Sequence, residues 1–147
     1  MTRNIDLYKE LYGDKVPKRR YSQRSTKTPV YVPTEKEDAK KLIQWAYTQP
    51  ILKDVILHIP NEGQRHPWQG RELNLIGMRA GVSDFFIPVP RGGYHGLWVE
   101  LKRQARSTVS DLQQAWLEKM LALDYAAHVA YGFDDAKKII SNYLVLV

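Results

Sequence analysis

Residues 81–102 read GVSDFFIPVPRGGYHGLWVELK. SDFFIPV (83–89) is apolar and aromatic, PRGGYHG (90–96) is a cluster of turn formers, and GLWVELK (96–102) is a second apolar run. The spacing predicts a β-hairpin. Side chains alternate faces along a strand. Leu97, Val99 and Leu101 therefore face one way, and Trp98, Glu100 and Lys102 the other. Charged side chains are rarely buried without a partner. Asp84 opens the neighbouring strand, so the hairpin is expected to bring its carboxylate towards Glu100.

Outward from the hairpin, the flanking segments alternate in type. Before it, Ala39, Leu42, Ile43, Ala46 and Tyr47 follow the i, i+3, i+4 spacing of one buried helix face. Thr34 is placed as its N-cap, and Pro50 lies just past its end. DVILHIP (54–60) reads as a short buried strand. Residues 68–79 read as a helix that ends near Gly81. After the hairpin, Ser110 opens a helix with Leu112, Trp116, Leu117, Met120 and Leu121 on one face. YAAHVAYG (125–132) is a strand, DDAKKIIS (134–141) a short helix and YLVLV (143–147) a final strand. His58 and His128 fall in strand patterns as core residues, and Trp98 is a packing residue or the floor of a site. The order implies an α/β fold with a mixed β-sheet flanked by α-helices.

The chain has 147 residues, 44% of them hydrophobic, which is enough for one real core. No cysteine is present, which excludes disulfides, thiolate zinc sites and thiol nucleophiles. No apolar run reaches the roughly 18 residues of a membrane span. The start, MTRNIDLYKE, has no apolar signal core. The chain therefore reads as soluble and cytoplasmic. Its net charge is +6, and residues 1–30, with eight basic and three acidic side chains, carry +5 of it. Residues 1–33 read as a basic, proline-broken arm and residues 34–147 as the folded domain. Lys18, Arg19 and Arg20, with interspersed tyrosines, suit phosphates and unpaired bases, so nucleic acid is an expected partner.

Two carboxylates close together repel, and a divalent cation removes that conflict by using both as ligands. Asp84, Glu100 and the Leu101 carbonyl between Glu100 and Lys102 are the candidate ligands for Mg²⁺ or Mn²⁺. Lys102 is placed to position or deprotonate a water, or to stabilise transition-state charge. From spacing alone the alternative is an exposed Glu100–Lys102 ion pair with Asp84 as a turn residue. No Gly-rich phosphate loop is present.

The wider blocks favour the first reading. HIPNEGQR (58–65), GMRAGVSDFFIPVPRGGYHGLWVELKR (77–103), the S-x-x-Q of Ser110 to Gln113 and YGFDDAKKIISNYL (131–144) resemble the VRR-NUC (virus-type replication-repair nuclease) branch of the PD-(D/E)XK nucleases. The resemblance runs from about Glu35 to Val147. It implies a restriction-endonuclease-like core and metal-dependent phosphodiester hydrolysis. It also implies a stand-alone phage or bacterial protein, a homodimer, and branched, flap or Holliday-junction-like DNA as substrate. Asp84 matches the motif's first acid, Glu100 and Lys102 its E-x-K, and Gln113 the helix glutamine. Gln113 also completes a capping box with Ser110. The family's first-helix acid falls on Glu35 or Asp38, with Ala39 where a glutamine is usual. Ser83 replaces a proline. Asn61 and Arg65 either contact DNA or simply make a turn. A non-cleaving DNA-binding module and a ribonuclease remain the rival functions.

Overall fold

The computed structural model describes residues 30–59, 73–104 and 107–147. Helix α1 spans Glu35–Ala46 and is closed by a reciprocal capping box between Thr34 and Glu37. Strands β1 (Leu57–His58), β2 (Phe85–Ile87) and β3 (Leu97–Lys102) follow. Helix α2 (Asp111–Leu121) then crosses to β4 (Ala126–Tyr131), and helix α3 (Phe133–Leu144) ends the fold. The sheet order is β1-β2-β3-β4. The first two pairings are antiparallel and β3–β4 is parallel. A parallel pair cannot be joined by a tight turn, which is why a whole helix lies between β3 and β4.

The hairpin forms at its expected place, with Phe85 opposite Val99 and Ile87 opposite Leu97. Its tip is a two-residue turn: Tyr94 donates its N–H to the Arg91 carbonyl at 2.8 Å. Gly92 and Gly93 sit at φ 55° and 83°. Positive φ at both central positions matches the right-handed twist of the strands, and glycine reaches it without a Cβ clash.

The two faces of the sheet are covered differently. Leu97, Val99 and Leu101 join Phe85 and Ile87 in a core with Leu42 and Ala46 of α1 and with Ala136, Ile140 and Tyr143 of α3. On the opposite face Trp98 meets Trp116 of α2 edge-on at 5.2 Å and stacks on Phe86 at 4.3 Å. The strand alternation thus sorts the hydrophobic and charged residues of β3 as expected.

Several expectations are corrected. The predicted strand 54–60 shrinks to Leu57–His58, because Val55 and Ile56 both donate their N–H groups back to the Leu52 carbonyl in a helical turn. Leu52 takes the core position instead, while Leu57 is exposed. Of the predicted helix 68–79, the part before residue 73 lies outside the described residues. The described part is helical only over 73–75, and Gly77 at φ 89° ends it, not Gly81. Gly81 serves a different purpose: a Cβ there would lie 2.5 Å from the Leu112 carbonyl oxygen, so the loop is pressed against the first turn of α2.

The predicted final strand 143–147 does not form. Ala136, Ile140 and Tyr143 continue one buried helical stripe, so the predicted helix 134–141 is extended to Leu144. The Tyr143 hydroxyl donates to the Val89 carbonyl at 2.7 Å, and Arg91 Nε donates to the Leu144 carbonyl at 3.1 Å. Tyr47, Leu112 and Leu121 are exposed, not core, because each helix buries a narrower stripe than its apolar residues suggest. His58 and His128 are likewise exposed, lying on the two edge strands.

Candidate active site

Glu100 and Lys102 leave β3 on the α2 side, two residues apart. Lys102 Nζ lies 2.9 Å from Glu100 Oε1. Gln113, three residues into α2, donates from Nε2 to the same Glu100 oxygen. Its Oε1 accepts the Ser110 backbone N–H at 2.9 Å, so Gln113 both caps the helix and holds the glutamate. Glu100 has no solvent exposure, and its Oε2 is buried without a hydrogen-bond partner among the described residues.

Asp84 stands just before β2. Its Oδ2 accepts the Leu101 backbone N–H at 2.8 Å, which ties the acid to the strand between Glu100 and Lys102. The N–H and C=O of one strand residue point to the same edge. The Leu101 carbonyl therefore points to the Asp84 side of β3. Glu35, in the first turn of α1, reaches the end of β3: its Oε1 accepts the Arg103 N–H at 3.1 Å and the Ser107 hydroxyl at 3.4 Å.

These groups act on one another electrostatically. Burial, followed by the negative charge of Asp84, pushes the Glu100 carboxyl up to about 7, against the pull of Lys102 and despite its ion pair. Burial also raises Asp84, opposed by the Leu101 N–H and by Lys102. Burial alone would lower Lys102, but its hydrogen bond to Glu100 and the charges of Glu100, Glu35 and Asp84 outweigh it, and the ammonium is held charged. Glu35 acts on Asp84, Glu100 and Lys102 alike. Asp38, the other candidate for the helix acid, is buried on α1 and acts on Tyr31.

Among the described residues, no three His, Asp or Glu side chains form a metal cluster by themselves. The oxygen set of Asp84, Glu100 and the Leu101 carbonyl nevertheless suits a hard cation, and the orphaned Glu100 Oε2 is the atom such a cation would satisfy. Asn61, Arg65, Lys18, Arg19 and Arg20 lie outside the described residues.

A family model, the VRR-NUC domain, matches residues 30–134. The chain belongs to the VRR-NUC domain family. A solved structure described as a "VRR_NUC domain protein" superposes with a TM-score of 0.71 at 29% identity, over 80% of this chain and 93% of that one. No curated protein matches the chain. Family membership makes this VRR-NUC domain a nuclease of the PD-(D/E)XK type, with DNA as its substrate. Nucleases of this type usually work with divalent metal ions. Among the described residues, no helix is long and apolar enough to cross a membrane.

The sequence reading missed two features of this site. Arg103 follows the E-x-K and donates from its guanidinium to the Val32 carbonyl at 2.7 Å and the Pro33 carbonyl at 3.0 Å, clasping the segment that leads into Glu35. His58 lies in a groove with Asp84 and Glu35. Neither contact has a local signature, because the partners are about 70 and 26 residues apart in the chain.

Proposed function

We propose that this VRR-NUC domain is a Mg²⁺- or Mn²⁺-dependent DNA endonuclease whose active site is Asp84, Glu100, Lys102, Gln113 and Glu35. The observation that carries the reading is Glu100: buried, held at one oxygen by Lys102 and Gln113, and left with its second oxygen unpartnered beside Asp84. Asp84, Glu100 and the Leu101 carbonyl would hold the ion. When bound, the ion supplies polarisation of the phosphoryl oxygen and a lower pKa for water. Lys102, held as a cation, orients the attacking water and offsets the negative charge that develops on the phosphate. Gln113 fixes the rotamer of Glu100, and Glu35 adds a further negative charge that favours the ion's occupancy.

The test is cleavage of four-way, flap, linear and RNA substrates, with and without Mg²⁺ or Mn²⁺. Asp84→Ala and Lys102→Ala are expected to lower the rate by at least about 10²-fold while keeping the fold. Undiminished cleavage by either variant overturns the assignment. DNA binding without any product would mean a non-cutting module, and cleavage of RNA alone a ribonuclease.

The finer reading is a structure-selective enzyme of phage or bacterial replication, repair or recombination, acting on branched or Holliday-junction-like DNA. Two symmetric cuts in one branched substrate require two sites, which a C₂ homodimer provides. Sedimentation that shows only monomer at micromolar concentration contradicts the dimer.

A further inference from the structure

A groove of about 660 Å³ opens between α1 and the β1–β2 edge, and Asp84, Glu35 and Leu101 belong both to its lining and to the proposed active site. Its size falls within the roughly 300–1,000 Å³ that takes a small organic ligand, and a nucleotide is of that order. Two features of the lining differ in kind. Ala39, Ile43 and the edge of Phe85 make part of it apolar. Exposed Lys36 and Lys40, four residues apart on α1 and so on one helix face, supply two ammonium groups along it.

His58 joins the two. It is exposed, lines the groove, and lays one face of its imidazole on the Phe85 ring, with centroids 4.7 Å apart and planes inclined by 13°. Phe85 is buried, while His58 stacked on it is exposed.

An intact duplex does not suit this lining. Its bases are stacked inside, and it would present phosphates to an apolar wall. A lone phosphate would use the lysines and leave the apolar surface wet. An unpaired nucleotide uses both: the base covers the apolar wall and stacks on His58, and its flanking phosphates meet Lys36 and Lys40. We propose that the groove beside Asp84 seats one unpaired nucleotide of the DNA substrate, with its base against His58 and its phosphates on Lys36 and Lys40. This rests on the nuclease reading, and it places the selection for distorted DNA within the domain, next to the bond that is cut.

The test measures binding in EDTA, so that no cutting intervenes. The full chain is titrated against a duplex carrying one bulged 2-aminopurine and against the same duplex with that base paired. The wild-type protein is expected to prefer the bulged DNA by about tenfold and to quench its fluorescence on binding, as base stacking does. His58→Ala is expected to bring the two affinities together and to abolish the quenching. Lys36→Ala with Lys40→Ala is expected to weaken binding and to lower the salt slope by about two. Ala39→Phe, which fills the groove without altering charge, should act like His58→Ala. Equal wild-type affinity for the two DNAs, or a preference that survives in both His58→Ala and Ala39→Phe, overturns the proposal. Cutting by Asp84→Ala in Mn²⁺ is read separately. Its persistence would defeat the placing of Asp84 in the active site and leave the groove untouched, whereas a dead Asp84→Ala beside a preference undiminished in both His58→Ala and Ala39→Phe would defeat the groove alone.

Discussion

Glu100 lies where water does not reach, yet its acidity is shared with three neighbours. In the unfolded chain its carboxyl titrates near 4.5, and in the fold near 7. The fold thus favours the protonated form. The stability that Glu100 contributes is complete below pH 4.5 and is lost as the pH rises through 7. The full shift corresponds to at most about 3 kcal/mol, and less after screening by solvent and Lys102. Without divalent ions, wild-type protein is therefore expected to lose thermal stability between pH 5 and pH 8 relative to Glu100→Gln. Saturating Mg²⁺ should restore wild type at pH 8 and leave the variant unmoved. Parallel melting profiles for the two proteins would contradict this. At the same scale, Ser83 is fully buried and its hydroxyl has no partner among the described residues. An unmade buried hydrogen bond costs about 1–3 kcal/mol. Ser83→Ala is thus expected to melt at or above the wild-type temperature and to cut at the wild-type rate, and a drop in melting temperature of several degrees would show that the hydroxyl is in fact paired.

At the scale of the element, Gln113 joins α2 to β3 beside the Trp98–Trp116 contact. Gln113 closes the capping box with Ser110 and also holds Glu100. The two roles separate by mutation. Ser110→Ala removes the cap and is expected to cost about 1 kcal/mol while sparing the rate. Gln113→Ala should cost a similar amount and also lower cleavage by roughly tenfold or more, because it frees the group that orients a ligand. Equal rates in the two variants, measured beside their melting temperatures, would reduce Gln113 to a cap. The hairpin and the helix starts at Thr34 and Ser110 were legible in the sequence, because each depends on neighbours within a few residues. The strand at 54–60 and the strand at 143–147 were misread for one reason. A short apolar run fits a strand or a buried helical turn equally well, and only the available partners decide. Leu52 and Tyr143 each found a place in the core as part of a helical segment.

At the scale of the whole molecule, the charge distribution separates two contributions to DNA binding. Five of the six net positive charges belong to residues 1–30. If that segment contacts phosphates, as its sequence leads one to expect, deleting it should weaken DNA binding and flatten its dependence on salt. An unchanged salt slope would assign the electrostatic grip to the domain alone.

What residues 81–102 determined by themselves was the hairpin and the sorting of β3 into a hydrophobic face and a charged one. Both follow from the two-residue period of a strand and from glycines that admit positive φ, and neither needs a distant partner. The pairing of Glu100 with Lys102 was also within reach of the sequence, since two side chains on one strand face two residues apart must be neighbours. The tertiary structure alone decided the rest. It brought Glu35 to the end of β3, where its carboxylate accepts the Arg103 N–H while the Arg103 guanidinium grasps Val32 and Pro33 across about 70 residues of chain. It tied Asp84 to the Leu101 N–H, which depends on the register of two strands. It also moved His58 from an expected core position to the wall of a groove beside Asp84, because β1 is the edge of the sheet and an edge strand leaves one side of its residues open.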